Sequence, residues 1–159
     1  MRKLLLVSFW ISFIAGLLLL VGGIFGLYFT YANVARENIT TPPDASIPSK
    51  PVRGPLTLKA QADVIRKHTL ASTGGKTFAE MPRQIEKLDA DGNPVLGADG
   101  KSVMVENTAR NMWVTATTLT TALNTAIFAY AFSAFLILFG ILLLLDSFVV
   151  RAMGKRFAE

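Results

Sequence analysis

Several short stretches place side chains at spacings that chemistry uses. Thr73-Gly74-Gly75-Lys76-Thr77 ends like a phosphate-cradling loop. The full pattern needs a glycine five positions before Gly75, where this chain has Leu70. The stretch reads instead as the stop of a helix. His68 is the only histidine. A non-haem iron triad takes two histidines and a carboxylate, so one chain with one histidine cannot build it. Near a helix C-terminus His68 suits a cation favoured by the dipole. Asp89-Ala90-Asp91-Gly92-Asn93 begins like a calcium loop, but Pro94 and Gly100 stand where that loop needs Gly and Glu. Asp91-Gly92 and Asp99-Gly100 are hairpin dipeptides. Without cysteine there is no disulfide and no thiolate metal site. No Ser/His/Asp set or paired-carboxylate cleft emerges. The chain reads as a non-enzyme, with no catalytic, cofactor-binding or metal residues and no cofactor.

The elements that carry these residues are dominated by two apolar runs. Residues 126–150 are apolar apart from Tyr130, Ser133, Asp146 and Ser147. Residues 4–31 form the other run. Each is long enough to cross a bilayer as a helix. The first run exceeds the apolar core of a signal peptide, and no small-x-small site follows it, so it reads as an uncleaved anchor. The expected fold is a mainly α membrane protein, with two antiparallel transmembrane helices joined by a small extracytoplasmic α(+β) segment. Residues 1–3 form a cytoplasmic N-terminus and residues 4–31 transmembrane helix 1. Residues 32–112 are extracytoplasmic. Residues 113–150 form a long helix containing transmembrane helix 2, and residues 151–159 a cytoplasmic C-terminus. Arg2 and Lys3 at one end, and Arg151, Lys155 and Arg156 at the other, set this N-in/C-in topology in the plasma membrane. A helix over 111–150 would run about 60 Å, longer than a bilayer of about 40–45 Å with its headgroups. Its outer turns should therefore project, with Trp113, Tyr28 and Tyr31 all near the outer interface.

Between the runs the charge is nearly balanced, with eleven basic and nine acidic residues of the sixteen and eleven in the chain. A nucleic-acid binder would cluster positive charge on one face, so that partner class is set aside. Residues 32–56 hold five of the seven prolines and read as an extended connector. The sequon-like Asn38-Ile39-Thr40 lies within it. Residues 57–73 read as an amphipathic helix, with Leu58, Ala62, Ile65 and Thr69 on one stripe. Thr57 is its expected N-cap and Gly74-Gly75 its stop. Asp63 and Lys67 form an i,i+4 pair. The stripe should lie on the outer ends of the spans. Residues 84–105 hold three short strand-like runs around the two Asp-Gly turns, a small β-meander.

Small and polar residues in the spans mark candidate packing positions. Ser12 and Gly16 lie four apart, as do Gly22 and Gly26, and small residues let helix backbones approach closely. In the second span Thr117, Thr121 and Asn124 share a face, and Ala126, Ala129 and Ser133 continue a small-residue ridge. Asn124 should find a partner, because an unpaired polar group in hydrocarbon is costly. Asp146 lies near the inner edge, five residues before Arg151. It reads either as an interfacial carboxylate beside Arg151 or as a locking or proton-relay charge.

Gly54-Pro55, Gln61-Ala62-Asp63-Val64-Ile65, His68 and Thr73-Gly74-Gly75-Lys76-Thr77-Phe78-Ala79-Glu80 together resemble actinobacterial two-span membrane proteins with a short extracytoplasmic domain. The likeness covers the spans and about residues 53–83; residues 86–104 look like an insertion. Members are often labelled aromatic ring-opening dioxygenase, which this chain's single histidine does not support. The resemblance implies a bacterial plasma membrane, where small two-span proteins occur as accessory subunits of respiratory assemblies. The expected function is thus a non-catalytic accessory or structural subunit of a larger membrane complex, such as a respiratory supercomplex. Its partners would be other integral membrane proteins and the lipid bilayer. The alternative is a self-associating, lipid-interacting or envelope-stress module working as a homo-oligomer.

Overall fold

The computed structural model describes residues 2–156. Met1 and residues 157–159, parts of the two expected cytoplasmic ends, lie outside the described residues. The order is α1 (Arg2–Arg36), α2 (Pro55–Ser72), a 3-10 turn (Phe78–Glu80), β1 (Gln84–Glu86), β2 (Met104–Glu106) and α3 (Thr108–Arg156). The fold is mainly helical, and α1 and α3 are each long and apolar enough to cross a membrane. At 1.5 Å per residue they measure about 52 and 73 Å.

α1 and α3 pack antiparallel. Gly16 faces Gly140, Gly23 faces Ser133 and Ile137, and Phe13 meets Phe148. The longer α3 extends past the end of α1, and there α2 takes α1's place beside it. Tyr130 donates its hydroxyl to the Arg53 carbonyl at 2.6 Å, fixing the start of α2. Trp113 Nε1 donates to the Lys76 carbonyl at 2.8 Å, fixing the turn after its end. α3 is therefore flanked along most of its length, by α1 at one end and α2 at the other. Val52, Leu58, Ala62 and Leu123 form the core at the junction, with Val34, Ile39, Ile65 and Tyr130 packed around it.

α1 continues to Arg36, beyond residue 31. It ends where Asn38 adopts φ 49°, a left-handed position asparagine tolerates better than most residues. α2 begins at Pro55, and its N-cap is Gly54 rather than Thr57. Thr57 sits in the first turn, and its Oγ1 accepts from the Gly54 amide at 3.2 Å. Proline at the first position gives up only an amide that would have no helical partner. The i,i+4 pair on α2 is Lys59–Asp63, not Asp63–Lys67.

The proline-rich connector is not extended. Val52 N bonds to Ile39 O at 2.9 Å and Thr41 N to Lys50 O at 3.0 Å, closing the segment into a loop. Thr41 is buried at its centre, and its Oγ1 accepts from Lys50 N at 3.0 Å. Proline blocks helix here, but the closure uses the amides of Thr41, Ser49, Lys50 and Val52, none of them a proline.

Residues 84–105 do not form a meander with the first and last runs apart. β1 pairs with β2 antiparallel, Ile85 opposite Val105. Beyond them three backbone bonds close a ring: Lys87 N to Val103 O at 2.7 Å, Val103 N to Val95 O at 2.8 Å and Val95 N to Lys87 O at 2.8 Å. Each run thus bonds to both others, while β1 and β2 themselves remain a two-stranded sheet. The two Asp-Gly turns are as expected, with Gly92 and Gly100 at φ 83° and 74°. Asp89 Oδ1 accepts the amides of Asp91 and Asn93, at 3.0 and 2.8 Å, so the carboxylate serves the turn.

Candidate functional site

The helix seam repeats at seven-residue spacing, with small residues at all but its first position. Phe9, Gly16, Gly23 and Thr30 are the buried positions of α1 among the described residues. Ser133, Gly140 and Ser147 repeat the same interval on α3. A repeat of seven keeps one stripe facing its partner as two helices wind left-handedly. A Cβ on Gly140 would stand 2.7 Å from Leu20 N and 2.8 Å from Gly16 O, so the approach is backbone to backbone. Gly16 and Gly23 are as tight, and a Cβ on Gly26 would meet Ser133 Oγ.

Gly22 departs from the expected seam. A Cβ added there would meet nothing within 4 Å, and the residue is exposed. One residue is a 100° turn of a helix, so with Gly23 in the seam Gly22 faces away. The four-residue pattern Gly22–Gly26 is therefore not the packing unit of this pair. Ser12 is half-buried at the seam's edge, and its Oγ donates to Asp146 Oδ2 at 3.3 Å. Asp146 and Arg151 are not paired; Arg151 lies over the Phe9 ring, 5.0 Å from its centroid. Five residues along a helix put two side chains about 140° apart, which separates these two.

Ala126 and Ala129 are half-buried and Ser133 is buried, so the ridge lies along the paired side. Thr117, Thr121 and Asn124 are exposed and take no part in the α1–α3 seam. Thr117 and Asn124 instead line a cleft of about 280 Å³ with Lys59, Asp63, Arg66 and Trp113. Other threonines of this stretch bond back to their own helix: Thr118 to Val114 O, Thr120 to Ala116 O and Thr125 to Thr121 O, at 2.8–2.9 Å.

Trp113, expected at an interface, is buried under α2. The Thr73–Thr77 turn holds it. Gly75 N bonds to Leu70 O at 2.8 Å, so that amide closes the helix and is not offered to a phosphate. Thr73 Oγ1 donates to Lys76 O at 2.6 Å, the same carbonyl that receives the indole. Arg66 covers the indole ring, and Arg110 covers Phe78 at 3.7 Å from the centroid. Asn107 caps α3, its Oδ1 accepting from Arg110 N at 3.3 Å while Nδ2 donates to Pro82 O at 3.0 Å.

A second concavity, of about 450 Å³, lies where the end of α1, α2 and α3 meet. Its walls include Val34, Ile39, Leu58, Ile65, Leu119 and Leu123. Asn33, Glu37 and Gln61 supply its polar groups. Spacing rules along one helix do not reveal it, because it draws on three separated segments. Among the described residues no three His, Asp or Glu side chains converge as metal ligands do.

His68 has a structural task. Asp44, in the closed connector, receives Lys67 Nζ and meets His68 Nε2, each at 2.9 Å. The Lys67 hydrogen bond, then that of His68, lowers the Asp44 carboxyl from 3.8 to about 2. A lowered carboxylate stabilises the fold above its unfolded value and loses that contribution as pH falls through the folded one. Protection of the amides of residues 41–50, taken relative to their intrinsic exchange rates, should therefore fall between pH 3.8 and about 2. D44N should show the lowered protection at pH 5 already. Glu80 is also lowered, by the Thr77 amide first and then the Thr77 hydroxyl.

No family model, curated protein or solved structure matches the chain.

Proposed function

We propose that this chain is a non-catalytic integral membrane protein that serves as an accessory or structural subunit of a larger membrane complex. The observation that carries the reading is the contrast between the two sides of the long helices. The paired side is small and tight. The outward side presents Leu18, Phe25, Phe128, Phe132, Leu138 and Leu142, all more than half exposed. An apolar exterior of that extent suits lipid or protein neighbours rather than water. The exposed polar side chains of Thr117, Thr121 and Asn124 supply a contact for another protein just beyond it. In this reading α1 and α3 span the plasma membrane, N-in and C-in, with residues 32–112 outside. A respiratory supercomplex is the first specific candidate, on the strength of the resemblance of residues 53–83.

Affinity capture in a mild detergent should recover a stoichiometric integral membrane partner. Asn124→Leu should weaken that recovery while the helix pair stays intact. Recovery of the chain alone, from membranes in which it is well expressed, counts against the reading.

Gly22 favours the alternative of self-association. It is a small residue with open space before it on the outward face of α1, and a second copy could approach closely there. Disulfide crosslinking of Gly22→Cys in native membranes, together with its loss in a Gly22→Leu background carrying a neighbouring cysteine, would support the homo-oligomer.

A further inference from the structure

We propose that Asp146, with Ser12 and Ser8 beside it, seats a third transmembrane helix that belongs to another protein and carries a lysine or arginine. This rests on the membrane reading above and names the chemistry of the partner. Asp146 is exposed, and its Oδ2 accepts from Ser12 Oγ across the helix pair at 3.3 Å. Ser12 stands ten residues from the start of α1 and Asp146 ten from the end of α3, about 15 Å along each helix. On the cytoplasmic side of this pair the surface stays apolar on both helices: Leu4, Leu6, Val7, Phe148 and Val149 are each more than half exposed. Leu142 and Leu145 continue it on the other side. The carboxylate thus lies within the apolar band rather than at its rim.

An ionised side chain in that band is costly unless it is paired. Among the described residues Asp146 makes no ion pair. Arg151, the nearest cation along α3, points about 140° away and lies on Phe9. One neutral hydroxyl donor leaves most of the carboxylate's acceptor capacity free. Charge complementarity therefore asks for a cation at this depth. The surface beside it also admits a helix. Ser8 is exposed one turn from Ser12 on the same face of α1, and small side chains let a further backbone come close. The sources of a cation differ in height. A lipid ammonium sits at headgroup level, toward the helix ends. A second copy standing parallel brings Arg151 about 7.5 Å nearer the cytoplasm. A basic residue on a neighbouring transmembrane helix can stand level with Asp146.

The test places photoreactive benzoylphenylalanine at Leu145 of the full chain in its native membranes, and crosslinked products are identified by mass spectrometry. The expected result is one membrane protein with a lysine or arginine in a transmembrane segment, level with Asp146. Asp146→Asn should lower the crosslink by about tenfold or more, with membrane level and helix content unchanged. Asp146→Glu, which keeps the charge, should retain most of it. Asp146→Lys should lose it, and exchange of the partner's basic residue for aspartate should then restore it. A crosslink only to a second copy or to lipid overturns the proposal. So does a partner without a cation at that depth, or one whose capture ignores Asp146→Asn; in both cases the accessory-subunit reading survives. Absence of a crosslink overturns the proposal alone if affinity capture still recovers a stoichiometric membrane partner, and overturns both readings if it does not.

Discussion

Alanine at Gly140 is expected to destabilise the α1–α3 pair by about 2–3 kcal/mol, near the upper end of the usual cost of overpacking. The added carbon would stand 2.7 Å from Leu20 N and 2.8 Å from Gly16 O. Both are backbone atoms, held by their own helix, so no side-chain rotation relieves the clash. Relief requires one helix to move away from the other, which also loosens Gly23 against Ser133. Gly16→Ala strikes the same contact from the other side, since its Cβ would meet Gly140 O at 2.9 Å. The two costs should not add, because the first separation makes room for the second methyl. Gly22→Ala is the control: with open space before it, its effect should stay within about 0.5 kcal/mol. Unfolding of purified variants in detergent, followed by circular dichroism, measures all four. Equal shifts for Gly140→Ala and Gly22→Ala would sink the seam as described.

That contrast also shows how much of the architecture the sequence carries. Two long apolar runs and their polar middle are legible from hydropathy, because burial in lipid or against a neighbour leaves a composition signal. The seam is legible too, but only at the right interval. Searching for small residues four apart pairs Gly22 with Gly26. Searching seven apart aligns Phe9, Gly16, Gly23 and Thr30, and on α3 Ser133, Gly140 and Ser147. The turns of residues 84–105 carry a similar unread signal. Leu88, Asp91-Gly92 and Val95 recur eight residues later as Leu96, Asp99-Gly100 and Val103. The ring of backbone bonds joins Lys87, Val95 and Val103, which hold equivalent places in that repeat. The connector is different in kind. Proline states what a segment cannot be, and the loop is closed by the buried Thr41 hydroxyl, a single residue with no periodicity to betray it. The apolar groove is likewise hidden, since Glu37, Gln61 and Leu119 meet only after α2 has docked.

Docking of α2 turns on Trp113, and Trp113→Ala should cost about 3–5 kcal/mol of that docking, as for other buried large-to-small changes. The indole is buried between α2 and α3, beneath the Arg66 guanidinium. Its Nε1 is the hydrogen bond that ties the turn after α2 to α3. Trp113→Phe separates the two contributions. It keeps most of the apolar contact and removes only the donor, and Lys76 O still receives Thr73 Oγ1. Its cost should therefore be near that of one hydrogen bond, about 1 kcal/mol. The effect should also be local. The α1–α3 seam shares no contact with the indole, so hydrogen exchange should quicken across residues 55–83 and stay slow across residues 9–30. Trypsin should then cut at Lys76 and Arg83 in the alanine variant under conditions that spare the parent chain. Exchange that quickens equally in both regions would mean that α2 and the helix pair unfold as one unit. If affinity capture recovers the proposed membrane partner, its retention by Trp113→Ala would place that contact on the helix pair, and its loss would place it on the outer segment that Trp113 holds.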